Sequence, residues 1–230
     1  MSFIQAKPRA THDFYAPIHK GIRLGLCQML TRLGAADAGD ADLPQLLADL
    51  RAQLRLSEQH LVHEDAVIHT ALEARAPGST SRLAQAHEHH RATFEDIETL
   101  VCRIEHAEGP AKTPLLRALY LRFSLFAADD FAHMAEEEQL MLPILQSLFS
   151  DEELMALEDA IVSQIPPEEM VAVASLMIPA ATRADRIGML SAMRANAPAE
   201  AFGAILSVAV RPNISADDFA HLSEGLGLAA

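Results

Sequence analysis

His133 and Glu137 stand four residues apart in a stretch, Phe123 to Leu148, that reads as a helix. At that spacing an imidazole and a carboxylate leave the same helix face one turn apart. Leu119, Phe123, Phe126, Asp130, His133, Glu137, Leu140 and Ile144 recur at steps of four and three, apolar at both ends and polar in the middle. Burying such a pair in a helical core is unfavourable unless both groups meet a partner. A metal ion is a partner that suits both, since imidazole and carboxylate oxygen are its common ligands.

The same His-x-x-x-Glu spacing occurs at His60/Glu64 and at His69/Glu73. The first lies in register with Leu46, Leu50, Ser57, Val67 and Ala71. The second lies off that stripe and reads as a chance match. Two further histidines stand on inward stripes: His19 with Tyr15, Ile22, Leu26, Met29 and Leu33, and His87 with Leu83, Phe94, Ile97, Val101 and Ile104. His90 shares the stripe of His87 and could add an imidazole or stand behind a ligand and support it. His63 is about 60° off the face of His60 at 100° per residue, a weaker candidate. Asp130, one turn before His133, is expected to orient a ligand or cap polar space rather than bind metal. His12, His69, His89, His106 and His221 read as surface or packing residues, Tyr15 as core, and the nine methionines as core filler. Two readings remain open on the residues alone. The pairs hold metal, or they are buried ion pairs that specify the bundle.

Positioning one polar layer requires four long helices. The first starts near residues 13 to 17 and stops in the Gly/Asp/Ala stretch 34–40. The second runs from about Leu43 to Glu73 and ends in Pro77-Gly78. The third spans roughly Ser81 to His106, before Gly109-Pro110, and the fourth runs from Pro114 to Phe149. Short connections favour an all-α, up-down-up-down four-helix bundle over residues 1–149, with residues 1–12 as a loose arm. Residues 150–230 read as a C-terminal helical extension. A capping box at Ser150-Asp151-Glu152-Glu153 opens it, a helix from Pro166-Pro167 ends before Pro179, and others follow at 183–195, 199–209 and after Ser215.

Composition narrows the function. The formal charge of −14 and the scattered 18 basic residues argue against nucleic acid and against an anionic membrane surface. No apolar run approaches the ~18 residues of a membrane span. The first residues lack the apolar core of a secretory signal, and the two cysteines, Cys27 and Cys102, make no CxxC motif. A cytoplasmic protein with reduced thiols is the expectation. No Gly-rich phosphate loop or Ser/His/Asp arrangement is present. A ferritin-like oxidase would use Glu-x-x-His, and no histidine here has a Glu three residues before it.

Four segments in order carry a resemblance: His19-Lys20-Gly21-Ile22-Arg23, His60 through Glu73, Ala86-His87-Glu88, and His133-Met134-Ala135-Glu136-Glu137-Glu138 to Leu142-Pro143. The chain resembles the hemerythrin-like (HHE cation-binding) domain, a four-helix di-iron fold, over about residues 10–149. The resemblance implies metal ligands at His19, His60, Glu64, His87, His133 and Glu137. It also implies two Fe ions as an oxo- or hydroxo-bridged di-iron centre, with Glu64 and Glu137 bridging. The oxygen carriers of the family place a second histidine four residues after the third-helix ligand and an aspartate five after the fourth-helix one. Here Arg91 follows His87 at that distance and Glu137 follows His133 at four. The doubled His-x-x-x-Glu is similar to the iron-sensing and iron–sulfur-repair branch. Residues 150–230 are similar to the segment after such domains in plant iron-sensing ubiquitin ligases, including an Arg-bearing helix at Arg183 to Arg186.

These resemblances imply a non-haem di-iron protein that binds or senses oxygen, nitric oxide or peroxide, or handles iron. The alternative is a regulatory or interaction module whose metal is structural. In either case a homodimer or a protein partner through the C-terminal helices is the expectation.

Overall fold

The computed structural model describes residues 10–228, which contain helix and no strand. The loose arm expected at 1–12 lies outside the described residues up to residue 9. Its last three residues are anchored instead. The Ala10 N–H bonds to the Gln146 carbonyl at 3.2 Å, and the Thr11 and His12 N–H groups both donate to Asp151 at 2.7 Å. The helices are α1 (Tyr15–Ala35), α2 (Leu43–His63), α3 (Thr70–Arg75), α4 (Ser81–His106), α5 (Lys112–Glu136), α6 (Leu142–Leu148), α7 (Asp151–Val162), α8 (Pro167–Ala180), α9 (Arg183–Asn196), α10 (Ala199–Ala204) and α11 (Ala216–Leu226). Among the described residues no helix is long and apolar enough to cross a membrane.

Two compact units divide the chain. Of the described residues the first comprises 10–16 and 29–164, the second 17–28 and 165–228, so α1 contributes to both. In the first unit α4 packs on α2 and on α5. The end of α1 joins them where Arg32 pairs with Asp49 at 2.6 Å and Gly34 meets the Tyr120 ring. A core of Phe14, Tyr15, Ile68, Leu72, Leu83, Met141, Leu142, Leu145, Phe149 and Leu154 ties the start of α1 to α7. Arg75 fastens the same end: it donates to the Leu148 carbonyl and Glu153, and its guanidinium lies 3.8 Å from the centre of the Phe149 ring. The capping box is complete, with the Ser150 hydroxyl accepting from the Glu153 N–H and the Glu153 carboxylate from the Ser150 N–H.

The second and fourth sequence helices are not continuous α-helix. Each widens into a π turn that starts at a glutamate, Glu64–His69 after α2 and Glu137–Met141 after α5. A π turn holds one residue more than the α-turn it replaces. The core stripe therefore moves on by one position. Ile68 and Leu72 are buried where Val67 and Ala71 were expected, and Met141 and Leu145 where Leu140 and Ile144 were expected. Leu140 is 55% exposed and Ile144 37%. Both turns have local causes. Pro143 has no N–H for the carbonyl four residues back, and its ring crowds that carbonyl. The Leu142 N–H reaches instead to Glu137, five residues back. The Thr70 hydroxyl donates to the Asp65 carbonyl at 3.1 Å, supporting the other turn.

The third His-x-x-x-Glu match splits in the structure. Of the surface and packing readings, His69 takes the packing one: it is buried, because the π turn rotates it inward. Glu73 closes the α3–α4 turn, accepting from the Thr80 hydroxyl at 2.6 Å and from the Gly78 and Thr80 N–H groups at 2.7 and 2.9 Å. Gly78 has φ of 84°, which its lack of a Cβ permits. The bonds from the Thr80 hydroxyl and from the two N–H groups hold the Glu73 carboxyl at about 2, below its ordinary 4.5. A depressed carboxyl stabilises the fold above its unfolded value and loses that contribution as pH falls through the folded one. Glu73→Gln is therefore expected to lower the melting temperature at neutral pH. The gap to the parent protein should close between pH 4.5 and about 2. A pH-independent gap in a thermal-melt series would contradict this assignment.

In the second unit α8 packs on the π turn Ile205–Val210, and α9 on α11. Ala174, Ile178, Leu190, Phe202, Ala209 and Leu222 lie in its core. Helix α8 runs through Pro179 to Ala180 instead of ending before the proline. The buried Arg186 guanidinium bonds the Ile178 and Pro179 carbonyls and so satisfies the last turn. Thr182 and Ser215 cap α9 and α11 with side-chain oxygens.

Candidate metal centre

Helices α2, α4 and α5 bring five of the residues singled out in the sequence to the first unit's interior. His60 Nε2 lies 3.2 Å from Glu64 Oε1, and His133 Nε2 lies 3.3 Å from Glu137 Oε1, each pair set by the one-turn spacing. His87 crosses from α4. Its Nε2 is 3.0 Å from His133 Nε2, 3.5 Å from Glu64 Oε2 and 3.9 Å from Glu137 Oε1. One ligand atom from each of Glu64, His87, His133 and Glu137 falls within 4.8 Å of the others, and all four residues are buried. The π turns begin at Glu64 and Glu137 themselves, so each carboxylate sits where the backbone widens.

His19 is wholly buried on α1, in the segment 17–28 that belongs to the second unit. His90 is buried beside His133, ring centres 5.1 Å apart, but it joins none of the groups whose ligand atoms converge. It stands three residues after His87, a spacing that turns its ring toward Phe126. His63 is half-buried and likewise outside those groups. His89, His106 and His221 are exposed, and His12 pairs with Glu158 at 2.8 Å.

Asp130 does not orient His133 through a hydrogen bond to its Nδ1. Its carboxylate lies 3.6 Å from His90 Nδ1, and His133 Nδ1 has no hydrogen-bond partner among the described residues. That role falls to Asp65, which sequence reasoning passed over. Its Oδ1 is 2.8 Å from His87 Nδ1 and 3.0 Å from His69 Nδ1, and its Oδ2 accepts from Arg91. Its position next to Glu64 was the available signal, because a residue beside the inward stripe faces a neighbouring helix, here α4. Arg91, four residues after His87, is thus occupied by Asp65. The His69 ring stacks on His87 with centres 5.0 Å apart.

Burial alone would lower the titration of His87 and His133. For both, the facing Glu137 and Glu64 carboxylates outweigh burial and hold the imidazole above its ordinary value, aided by Asp65 at His87 and by Asp130 at His133. Burial and the neighbouring His133, His87 and His89 push His90 the other way, to about 3, so it is neutral at pH 7. Burial, then the charges of Glu137, Glu64 and Asp13, lifts the Tyr15 hydroxyl well above its usual value and keeps it a phenol. Two carboxylates in a low-dielectric interior thus draw positive charge onto imidazoles, and imidazole nitrogen with carboxylate oxygen is a donor set that fits iron, manganese or zinc.

The family model for the hemerythrin HHE cation binding domain matches residues 18–145. No curated protein and no solved structure was found to match the chain.

Proposed function

Because this chain belongs to the hemerythrin HHE cation-binding family, we propose that its helical bundle holds two non-haem irons and uses them to bind or sense a small ligand, or to handle iron. In this reading His19, His60, Glu64, His87, His133 and Glu137 would hold the metals. The observation that carries it is the convergence of Glu64, His87, His133 and Glu137 within 4.8 Å in a buried interior. His60, paired with Glu64, extends the set on α2. His19 is the proposed ligand from α1, supported by its burial and by its place one turn after the core residue Tyr15.

Bound iron would supply redox electrons and coordination positions left open for oxygen, nitric oxide or peroxide. The protein's own part is to exclude water and to keep carboxylate and imidazole lone pairs aimed inward. Arg91 supports this reading over a reversible carrier: a cation committed to Asp65 stands where the carriers supply another imidazole.

Reconstitution with ferrous iron under argon, followed by air, tests the proposal. Two irons per chain and new near-ultraviolet absorption on admitting air are expected. A single metal, or zinc alone with no spectral response to air or azide, would refute the di-iron reading and leave a structural metal.

A further inference from the structure

The carboxylate of Asp65 meets two buried imidazoles at once. His87 and His69 both direct Nδ1 at Oδ1, at 2.8 and 3.0 Å, while Arg91 takes Oδ2. An ionised carboxylate only accepts hydrogen bonds, so both nitrogens facing it carry hydrogen. A neutral imidazole with its hydrogen on Nδ1 has its lone pair on Nε2. In His87 that Nε2 is the atom turned toward His133 and Glu64.

We propose that Asp65 is a positioning residue for the metal centre: it fixes His87 as the Nδ1–H tautomer and presents Nε2 to a divalent cation, while Arg91 holds Asp65 in place. This rests on the metal reading above. An exposed Asp–Arg pair alone contributes little. Here the same carboxylate also satisfies ring N–H groups on residues that are 0% and 5% exposed, where an unmet donor is costly. The partner of a metal-bound imidazole's second nitrogen fixes ring orientation and raises basicity, and its loss typically weakens metal binding about 10–100-fold. Among the described residues His133 has no such partner on Nδ1, so the anchor belongs to His87.

The test compares Asp65→Leu, which removes the acceptor, with Asp65→Asn, which keeps a carbonyl oxygen. Nitrogen NMR of the histidine rings in metal-free protein, at a pH where they are neutral, should show His87 as the Nδ1–H form in the parent and in Asp65→Asn. That form should be lost in Asp65→Leu. Zinc affinity by chelator competition should fall about 10–100-fold in Asp65→Leu and less in Asp65→Asn. Arg91→Leu should give a smaller loss, and it carries the test if Asp65→Leu does not fold. An unchanged His87 tautomer, or zinc affinity within twofold of the parent in a folded Asp65→Leu, would overturn the proposal. The tautomer is read without metal, so a parent protein that binds no metal would refute the metal reading while the Asp65–His87 anchor is still decided.

Discussion

Ferrous iron added without oxygen to the metal-free protein is expected to raise its melting temperature by about 10 °C per bound ion, and His133→Ala to remove most of that rise. An ion present at a thousand times its dissociation constant contributes about 4 kcal/mol to the folded state. A chain of this length shifts roughly 2–4 °C for each kcal/mol. The effect is large because Glu64 and Glu137 are 1% and 0% exposed and bring carboxylate oxygens within 4.8 Å of each other. Metal-free, they are balanced by protons that the carboxylates draw onto His87 and His133. A divalent cation must displace those protons, so its affinity falls as the solution becomes more acidic. Both imidazoles titrate above the ordinary 6.5, so competition sets in at higher pH than it would against free imidazoles. The melting-temperature rise should therefore be larger at pH 8 than at pH 6. Calorimetric melts with and without iron at both pH values, on parent and variant, decide it. A full rise in His133→Ala would remove His133 from the site.

The helical periods at His60 and His133 were readable because both motifs lie on α-helix up to their glutamates, and every stripe residue before Glu64 and Glu137 is where a 3.6-residue repeat puts it. Beyond those glutamates a constant period fails. The π turns advance the stripe by one residue, which exposes Leu140, buries Ile68 and brings His69 under His87. Thr70 and Pro143 mark the widening, but each also has ordinary uses in a helix, so neither signals a π turn alone. Asp65 was missed for a different reason. A residue beside a stripe faces a neighbouring helix, and which neighbour it meets depends on tertiary packing that no single helix period encodes. Asp130 shows the converse: its stripe position was right, yet its carboxylate lies by His90 rather than on His133. The caps at Ser150, Thr182 and Ser215 were the most local of the structural features and rest on side-chain bonds to backbone three residues on.

Glu137→Met should make the metal-free protein more stable by about 1–3 kcal/mol while abolishing metal loading. Glu137 is wholly buried beside the imidazoles of His133 and His87, which can give up a proton and become neutral. Methionine is close to glutamate in length and brings no charge into the interior. Removing one member of a buried pair is costly when the other must stay charged. His133 need not, since its raised titration depends on Glu137 and Glu64, and without Glu137 it relaxes toward neutrality. The desolvation cost of one carboxylate then disappears with little left unpaired. A bundle built only for stability would keep an apolar residue at this position, in line with Phe123 and Phe126 on the same face. Urea unfolding of parent and variant without metal, paired with iron content after reconstitution, reads both halves of the expectation. A variant that unfolds earlier than the parent would show that Glu137 holds the bundle together through its ion pairs, and one that still loads two irons would show that this carboxylate is not a ligand.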